Sequence, residues 1–422
     1  MNEGKRKISR REFLKKAATA GAVASTITFL KPAWAQQPQL LKAGLIGCGG
    51  RGTGAGAQFM QCAPNCRVVA LADVFEDRVQ STRKKYALNK VEIPDDMCFT
   101  GFDAYKQLLQ TDVDVVLIAT PPYFRPEIFE AAIDAGKHVF MEKPVAVDPV
   151  GARRIMEAGK KAKEKGLCVV AGTQRRHQAQ YVETQKRIAD GMIGRVVAMR
   201  CYWCGGPVRR YFKRQPDWND IIYQVRNWVH FTWLSGDHIV EQHVHNIDVC
   251  NWFFGSHPVQ AFGFGAQVQR KLGDQYDFFC IDFTYDRGVH CESMCRQIID
   301  CDHNVSEFVV CEKGTTDCRG TIWDHDGKVL WKFQGKATNP YVQEHADLVN
   351  AIRGGKYINE AQNVAEATMS AIMGRQSAYT GKRVTWDQMM KSDLTLGPAD
   401  YRTATKFEIG PAPKPGKPFA PA

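Results

Sequence analysis

The sequence predicts an α/β fold with a doubly wound parallel sheet in its first half and a largely antiparallel sheet in its second half. Three observations lead to this prediction. Continuous apolar runs alternate with helix-compatible segments between residues 41 and 172, which is typical of parallel strands covered by helices on both faces. A glycine cluster follows the first apolar run directly. Beyond residue 172 the alternation stops, and strand-like runs are joined by short turns.

The first half is expected to begin with a β-α-β unit. A strand at 41–46 leads into the glycine cluster, a helix continues to about Cys62, and a second strand covers 67–73. Three further strands are predicted at 114–120, 138–142 and 168–172, and two helices at 125–135 and 149–165.

The second half is expected to open with a helix at 179–191 and a strand at 196–203, followed by a segment rich in Trp and Arg at 205–233. The later strands are predicted at 259–269, 277–285, 288–297, 306–311 and 314–323. Two helices are predicted at 341–353 and 362–380, and the Pro/Gly/Lys-rich end is expected to be mobile.

The N-terminal residues resemble a twin-arginine export signal. Arg10 and Arg11 precede Phe-Leu-Lys, an apolar run covers 17–29, and a small-residue site ends at Ala35. This pattern predicts the twin-arginine export machinery as a partner and a periplasmic location. The alternative is an uncleaved membrane anchor, but the apolar run is shorter than the about 20 residues that a bilayer requires. The predicted organisation is a signal at 1–35, a nucleotide-binding domain at 36–174, a second domain at 175–409 and a tail at 410–422.

Charge and cysteine content exclude some classes of function. The formal charge is +11, but the basic residues are scattered rather than arranged in a stripe, so nucleic-acid binding has little support. The chain has 14 cysteines, and a large chain that folds before export is expected to keep most of them as thiols. Cys201 and Cys204 form the one tight pair, and the pattern favours thiols over a disulfide or a metal site there.

The glycine cluster predicts a dinucleotide-binding loop, because Gly47-x-Gly49-x-x-Gly52 follows a strand and precedes a helix. Such glycines allow a tight turn, the approach of a pyrophosphate, and close packing of helix and strand. Asp73 ends the second strand about 20 residues later, where a carboxylate binds ribose hydroxyls and repels a 2'-phosphate. NAD is therefore favoured over NADP, although Arg51 or Arg78 could neutralise a phosphate. The predicted loop contacts are Gly47, Gly49, Gly50, Arg51 and Gly52.

Three further segments carry a family resemblance. They are Ala119-Thr120-Pro121-Pro122, the segment 136–144 that ends in Glu142-Lys143-Pro144, and Glu241-x-x-x-His245-x-x-Asp248. Together with the glycine loop they resemble the Gfo/Idh/MocA family of oxidoreductases. The resemblance implies an N-terminal Rossmann domain and a C-terminal α/β domain with an open, mostly antiparallel sheet. It also implies hydride transfer with sugars or polyols, and homo-oligomers formed through the C-terminal sheet.

The resemblance also implies the catalytic residues. Lys143 corresponds to the family lysine that hydrogen-bonds the reacting hydroxyl, and His245 is the expected base. Glu241 stands where the family commonly has Asp; on one continuous helix Glu241 and His245 would share a face, so that Glu241 could orient the imidazole. Asp248 is a further candidate, with a helix-surface or capping role as the alternative.

Other positions complete the expected site. Cofactor contacts are expected from Thr120, Pro121, His138, Glu142, Lys143, Gln174 and Arg175, and substrate contacts from Arg176, His177, Asp237, His238 and Tyr341. His238, His243, His245 and Glu241 also resemble metal ligands, but the resemblance uses His245 in proton transfer, so no catalytic metal is predicted. The tryptophans of the segment 205–233 and their neighbours could form a lid that stacks on a sugar, or could simply pack.

The leading functional hypothesis is a periplasmic oxidoreductase with a tightly bound NAD that acts on a sugar, glycoside or polyol hydroxyl. One alternative is an NAD-dependent glycosidase that works by transient oxidation, elimination, hydration and re-reduction. A second alternative is a non-catalytic binding protein that has kept the fold.

Overall fold

The computed structural model describes residues 39–417. The predicted export signal lies outside the described residues. No helix in residues 39–417 is both long enough and apolar enough to cross a bilayer.

The first sheet is parallel throughout, and within the described residues it has six strands in the order β3-β2-β1-β4-β5-β6. The strands are β1 (Leu41–Ile46), β2 (Cys66–Asp73), β3 (Cys98–Thr100), β4 (Val115–Ile118), β5 (His138–Met141) and β6 (Val169–Ala171). The chain reverses its direction of winding between β1 and β4. In such sheets a crevice opens at this point, beyond the carboxyl ends of the strands.

Helices cover both faces of this sheet. They are α1 (Gly50–Cys62), α2 (Glu76–Ala87), α3 (Ala104–Leu109), α4 (Arg125–Asp134) and α5 (Pro149–Glu164). The start of α5 shows how sequence sets a boundary: Asp148 accepts a hydrogen bond from the Gly151 amide, and Pro149 occupies the first turn. The strands β4 and β6 are buried at every position, as expected for strands covered on both sides.

Short helices follow β6 and lead into the second half. They are α6 (Ala179–Ala189), α7 (Asp220–Arg226), α8 (Thr232–Ser235), α9 (His238–Glu241) and α10 (Val244–Phe254). A 3₁₀ segment, Gln174–His177, lies between β6 and α6.

The second sheet is mostly antiparallel, with nine strands in the described part of the chain. In spatial order they are β14 (Val329–Lys332), β13 (Thr321–Trp323), β12 (Gly314–Thr316), β11 (Asn304–Cys311), β7 (Val196–Gly205), β10 (His290–Gln297), β9 (Phe278–Thr284), β8 (Gln260–Ala266) and β15 (Val384–Thr385). The pair β7–β10 is parallel.

The remaining helices are α11 (Pro340–Ile352), α12 (Ala361–Thr380) and α13 (Trp386–Lys391). The helix α12 is buried along nearly its whole length and packs on both α5 and β8. Its Arg375 is fully buried and donates to the carbonyls of Val147 and Gly236, so it ties the two halves together. The described part of the tail also makes contacts, since the Tyr276 hydroxyl donates to the carbonyl of Pro413 at 2.8 Å.

The predicted fold class is confirmed, but three details differ. The predicted strand 314–323 is two strands, because Cys318 takes a φ of +62° and the chain turns there. The segment 76–109, for which the sequence suggested no element, contains α2, β3 and α3. The segment 238–254 is interrupted between Glu241 and Val244; there the Gln242 side chain accepts a hydrogen bond from Gln297 of β10 at 2.7 Å.

Candidate active site

The glycine loop lies at the carboxyl edge of the first sheet, between β1 and α1. Gly47 has a φ of +97°, and a Cβ there would lie 2.6 Å from the backbone carbon of Ala119. A Cβ on Gly52 would lie only 1.8 Å from the carbonyl oxygen of Gly47. At Gly49 and Gly50, by contrast, no other part of the chain comes within 4 Å of a Cβ. The loop is therefore packed tightly on its inner side and open on its outer side.

Asp73 connects this loop to the end of β2. Its Oδ2 accepts from the Cys48 amide at 2.7 Å, and its Oδ1 accepts from the Phe75 amide at 2.9 Å. Burial raises the pKa of Asp73, although these two hydrogen bonds act in the opposite direction. Each carboxylate oxygen keeps a further lone pair, and Asp73 lines the adjoining cavity.

This cavity opens beside the glycine loop, which lines it through Gly47 and Gly49. Thr120 and Pro121 line it from the end of β4, as the resemblance implied. The other wall comes from the segment between β7 and α8, through Arg210, Arg226 and Trp228.

A second cavity shares Arg210, Arg226 and Trp228 with the first and reaches Glu241. The two cavities therefore adjoin each other, and together they are called the cleft, with Asp73 lining the first and Glu241 the second.

The cleft explains the segment rich in Trp and Arg. Trp228 lines the cleft, whereas Trp233 is buried and packs edge-on against Tyr123, with ring centroids 4.9 Å apart. Packing therefore accounts for Trp233, whereas Trp228 lies where a sugar-stacking role stays a prediction. Sequence reasoning missed Arg226, which pairs with Asp77 at 2.7 Å and whose guanidinium lies 3.6 Å from the Phe75 ring centroid. The only sequence signal for Arg226 was the general richness of this segment in arginine.

Lys143 contacts Glu241, the residue that lines the far end of the cleft. The Lys143 ammonium donates to the Glu241 carbonyl at 2.5 Å and to its Oε1 at 3.3 Å. Because α9 ends at Glu241 and α10 begins at Val244, Glu241 and His245 do not share one helical face. The expectation that Glu241 orients the imidazole is therefore replaced by a contact with Lys143.

His245 lies near the start of α10 and is 9% exposed. Its ring stacks on Trp203, with centroids 5.7 Å apart and planes 20° from parallel. Neither of its ring nitrogens has a hydrogen-bond partner within residues 39–417. Burial lowers the pKa of His245 well below its usual value, and the positive charges of Lys143, Arg175 and Arg51 lower it further. The imidazole is therefore neutral at pH 7.

The 3₁₀ segment Gln174–His177 is held by carboxylates from the second half of the chain. Arg176 makes a two-pronged contact with Asp248, its Nη2 lying 2.9 Å from Oδ1 and its Nε 2.9 Å from Oδ2. Arg175 pairs with Glu307 at 2.5 Å. Asp248 is thus neither a surface charge nor a helix cap, but the buried partner of Arg176.

His177 pairs with two further carboxylates, those of Asp347 at 2.6 Å and Glu360 at 3.3 Å. Although burial lowers its pKa, these two carboxylates raise the pKa of His177 to about 10. The imidazole is therefore charged at pH 7. Gln174 differs from its neighbours, because its Oε1 is buried without a partner in the described residues.

Arg51 has acidic partners of its own at the start of α1. Its Nε lies 2.5 Å from Glu142 Oε1, and its Nη2 lies 3.1 Å from Glu344 Oε1. The guanidinium also lies 5.2 Å from the ring centroid of the half-exposed Tyr341. Arg51 and Tyr341 thus stand beside the loop, with Glu142 beneath them.

Three further predicted site residues, His138, Asp237 and His238, line neither cavity. His138 begins β5 and so lies at the amino edge of the sheet, where its Nδ1 accepts from the Cys168 amide. Asp237 is fully buried and accepts from the Tyr379 hydroxyl at 2.5 Å. His238 is buried edge-on against Phe279, with ring centroids 5.2 Å apart.

Comparison with known families identifies the chain. The family model GFO_IDH_MocA, described as an oxidoreductase family with an NAD-binding Rossmann fold, matches residues 41–173. The GFO/IDH/MocA C-terminal domain model matches residues 181–317. The chain belongs to the Gfo/Idh/MocA family of oxidoreductases. The predictions of this family and of NAD as its nucleotide are confirmed.

The chain is similar to several Gfo/Idh/MocA proteins with curated names. An inositol 2-dehydrogenase of Salmonella paratyphi B is 28% identical over 187 residues, which are 44% of this chain and 52% of that protein. The chain thus spans about half the length of this relative. A scyllo-inositol 2-dehydrogenase (NAD(+)) of Bacillus subtilis is 20% identical over 334 residues, which are 75% of this chain and 87% of that protein.

Solved Gfo/Idh/MocA structures share the fold. The myo-inositol 2-dehydrogenase of Lactobacillus plantarum superposes with a TM-score of 0.62 at 21% identity, covering 82% of this chain and 99% of that one. The aldose-aldose oxidoreductase of Caulobacter crescentus gives a TM-score of 0.63 at 18% identity, covering 82% of this chain and 100% of that one.

Proposed function

We propose that this protein is an NAD-dependent oxidoreductase that acts on a hydroxyl of a sugar, glycoside or cyclic polyol. One observation carries the proposal. The cleft extends from the dinucleotide loop to Glu241, Lys143 contacts Glu241, and the neutral, unpartnered imidazole of His245 lies near the charge of Lys143. An ammonium donor and a neutral base are the two groups that oxidation of an alcohol needs.

The residues of the loop fit NAD. The open space outside Gly49 and Gly50 leaves room for a pyrophosphate, and α1 begins there without a capping side chain, so its first amides are available to an anion. Asp73 would accept from ribose hydroxyls. When bound, NAD supplies the acceptor or donor of a hydride.

Lys143 would hold the reacting oxygen. An ammonium has three N–H donors, and Glu241 accepts from two of them, one through its carbonyl and one through its carboxylate. The third remains for a substrate hydroxyl. Glu241 also fixes the position of the Lys143 side chain, which has four flexible bonds.

His245 would take the hydroxyl proton. A positioned base contributes about 10²- to 10⁴-fold to such a reaction, and a ring nitrogen without a protein partner is free to accept. Trp203 holds the plane of the ring.

The substrate class follows from the cleft and from the relatives. Trp228 lines the second cavity with an aromatic ring, and Arg210, Arg226 and Glu241 bring polar groups to it, a mixture that suits a polyhydroxylated ring. Relatives of this chain are named as inositol dehydrogenases, which supports a cyclic polyol or sugar.

We also propose that residues 1–35 direct export through the twin-arginine machinery and that NAD stays bound in the periplasm. The proposal rests on Arg10, Arg11 and the cleavage site at Ala35. Replacing both arginines by lysine should leave the protein in the cytoplasm. Unchanged periplasmic recovery of that variant would refute export by this route.

The catalytic assignment is tested by Lys143→Met. The variant should bind NAD with the affinity of the wild type yet lose at least about 10²-fold in turnover with the polyol or sugar it oxidises, because the donor to the reacting oxygen is gone. Lys84→Met, which removes a charge from the exposed face of α2, is the matched control and should behave as wild type. Wild-type turnover in Lys143→Met would refute the assignment.

Two substrates, tested with the wild type, separate dehydrogenation from glycoside cleavage. Release of a phenol from an aryl glycoside, without net formation of reduced nicotinamide, would show that the protein is a glycosidase. Net reduction of NAD by a free polyol supports the proposed oxidoreductase.

A further inference from the structure

Three thiols from separate elements converge in the core of the second half. Cys201 lies on β7, Cys250 on α10 and Cys291 on β10, and their three Sγ atoms all lie within 4.8 Å of one another. All three residues are buried, with exposed fractions of 0%, 0% and 1%. No other group of this kind occurs among residues 39–417.

An imidazole lies at the edge of this group. His243 Nε2 is 3.7 Å from Cys201 Sγ and 2.7 Å from the hydroxyl of Ser293. Its other nitrogen, Nδ1, is buried without a hydrogen-bond partner in the described part of the chain. His243 is 0% exposed, and the nitrogen that faces Cys201 is Nε2 rather than this unpartnered Nδ1.

The spacing is close to that of a tetrahedral metal site. With Zn–S bonds of about 2.3 Å and Zn–N bonds of about 2.0 Å, ligand atoms lie about 3.6–3.8 Å apart. The Cys201–His243 distance already has this value, and small rotations of the three thiols would bring their Sγ atoms to it. A chance gathering of core cysteines is the simplest alternative. Cys295, Cys311 and Cys318 are equally buried in the same core, yet they do not form such a group.

We propose that Cys201, Cys250 and Cys291 bind one thiophilic metal ion, Zn²⁺ or Cu⁺, in a closed structural site, and that His243, whose Nε2 lies 3.7 Å from Cys201 Sγ but outside the group of three, turns from Ser293 to become the fourth ligand. Thiolates select these soft ions over Mg²⁺ or Ca²⁺, and four protein ligands leave no open position for substrate. Binding displaces the three thiol protons. The tight sequence pair does not form the site, because Cys204 is not part of the group.

A bound metal would hold α10 against the second sheet. Cys201 and Cys291 come from the neighbouring strands β7 and β10, whereas His243 and Cys250 bracket the first two turns of α10. His245 lies between these two ligands in sequence. The metal would therefore fix the position of the proposed base. This consequence rests on the proposed function, whereas metal binding itself does not depend on it.

Metal analysis of the purified full chain, prepared without chelators, tests the proposal. We expect elemental mass spectrometry to find about one Zn or Cu per chain. Whichever of the two elements is found is the metal that the site binds. Cys201→Ser and Cys250→Ser should each lose most of it. Cys295→Ser removes a buried thiol from the same strand as Cys291, outside the group, and should keep it.

Reconstitution of the wild type with Co²⁺ avoids dependence on variants that fail to fold. Two results would support the site. One is thiolate-to-cobalt charge-transfer absorption at one Co²⁺ per chain. The other is that added Zn²⁺ protects three thiols from an alkylating reagent. A disulfide between any two of the three cysteines, or three reactive thiols with no bound Zn, Cu or Co, would overturn it. NAD binding is measured separately, so failure of this site is distinguishable from failure of the proposed function.

Discussion

His245 shows how a single residue acquires its chemistry from its surroundings. Its ring is buried against Trp203 and lies near the positive charges of Lys143, Arg175 and Arg51, so its pKa falls well below the usual value. His177, only a few residues from Arg175, meets two carboxylates instead and stays charged. Two histidines in one protein therefore have opposite charge states at pH 7.

The lowered pKa of His245 predicts the pH dependence of turnover. A general base must be deprotonated to act, so turnover falls as the pH drops through the pKa of that base. An ordinary histidine has a pKa of about 6.5. The acid limb of the pH profile, where turnover is lost, should therefore lie clearly below pH 6.5. The measurement is the rate of NAD reduction at saturating substrate between acid and neutral pH. His245→Gln should remove both the limb and most of the activity.

An acid limb at or above the ordinary histidine value would contradict this account of His245. The exposed His303, which lies outside the cleft, supplies the control, because His303→Gln should leave the profile unchanged.

The residue scale is also where sequence reasoning reached its limit. Lys143 and His245 could be named from local motifs. The ion pairs around them could not, because Arg51 meets Glu344 and Arg175 meets Glu307 across more than a hundred residues of chain. His138 was placed at the cofactor from its motif, but the direction of β5 carries it to the opposite edge of the sheet.

At the scale of elements, the strand–loop–helix unit of β1 and α1 determines nucleotide binding. Its boundaries could be predicted because the apolar strand, the three glycines and the helix follow one another without interruption. The break between α9 and α10 could not, since no glycine or proline marks it and a tertiary contact from Gln297 to Gln242 lies there.

Two glycines on α1 give a matched test of the loop. Gly52→Ala would place a Cβ 1.8 Å from the Gly47 carbonyl oxygen, so helix and strand must separate. We expect at least about a tenfold loss of NAD affinity, equivalent to about 1.4 kcal/mol. Gly54→Ala meets only the end of the flexible Arg51 side chain, at 3.6 Å.

Gly54→Ala is the control, and we expect it to stabilise the protein rather than weaken NAD binding. Gly54→Ala should raise the free energy of unfolding by about 0.5–1 kcal/mol, because alanine loses less entropy than glycine in a helix, and should leave NAD affinity unchanged. Calorimetric titration with NAD and thermal unfolding measure the two quantities. Equal NAD affinity in both variants would contradict the close-packed loop.

At the scale of the whole molecule, the open face of the second sheet exposes apolar rings on β8, next to the charged Asp282, Glu292 and Arg200 of the neighbouring strands. Phe262 and Phe264 are 54% and 60% exposed on β8, and Phe308 lies on the same face under the Arg200 guanidinium. Large exposed apolar patches mark interaction sites in soluble proteins. We propose that this face joins copies of the chain into a homo-oligomer.

Charge introduced on this face tests the assembly. Phe262→Lys with Phe264→Lys should reduce the mass found by light scattering to that of one chain, because like charges would face each other across a symmetric contact. Leu88→Lys, at a residue that is 87% exposed on the nucleotide-binding half, should leave the mass unchanged. A wild type that is already monomeric would refute the proposal.

The measurement that tests the central claim most directly is the identification of the nucleotide in the purified protein. Denaturing the protein and analysing the released small molecules by mass spectrometry should give NAD or its reduced form at about one per chain. Added NAD should also bind to protein that has been stripped of nucleotide. Protein that releases no nicotinamide nucleotide and binds neither NAD nor NADP would contradict the account.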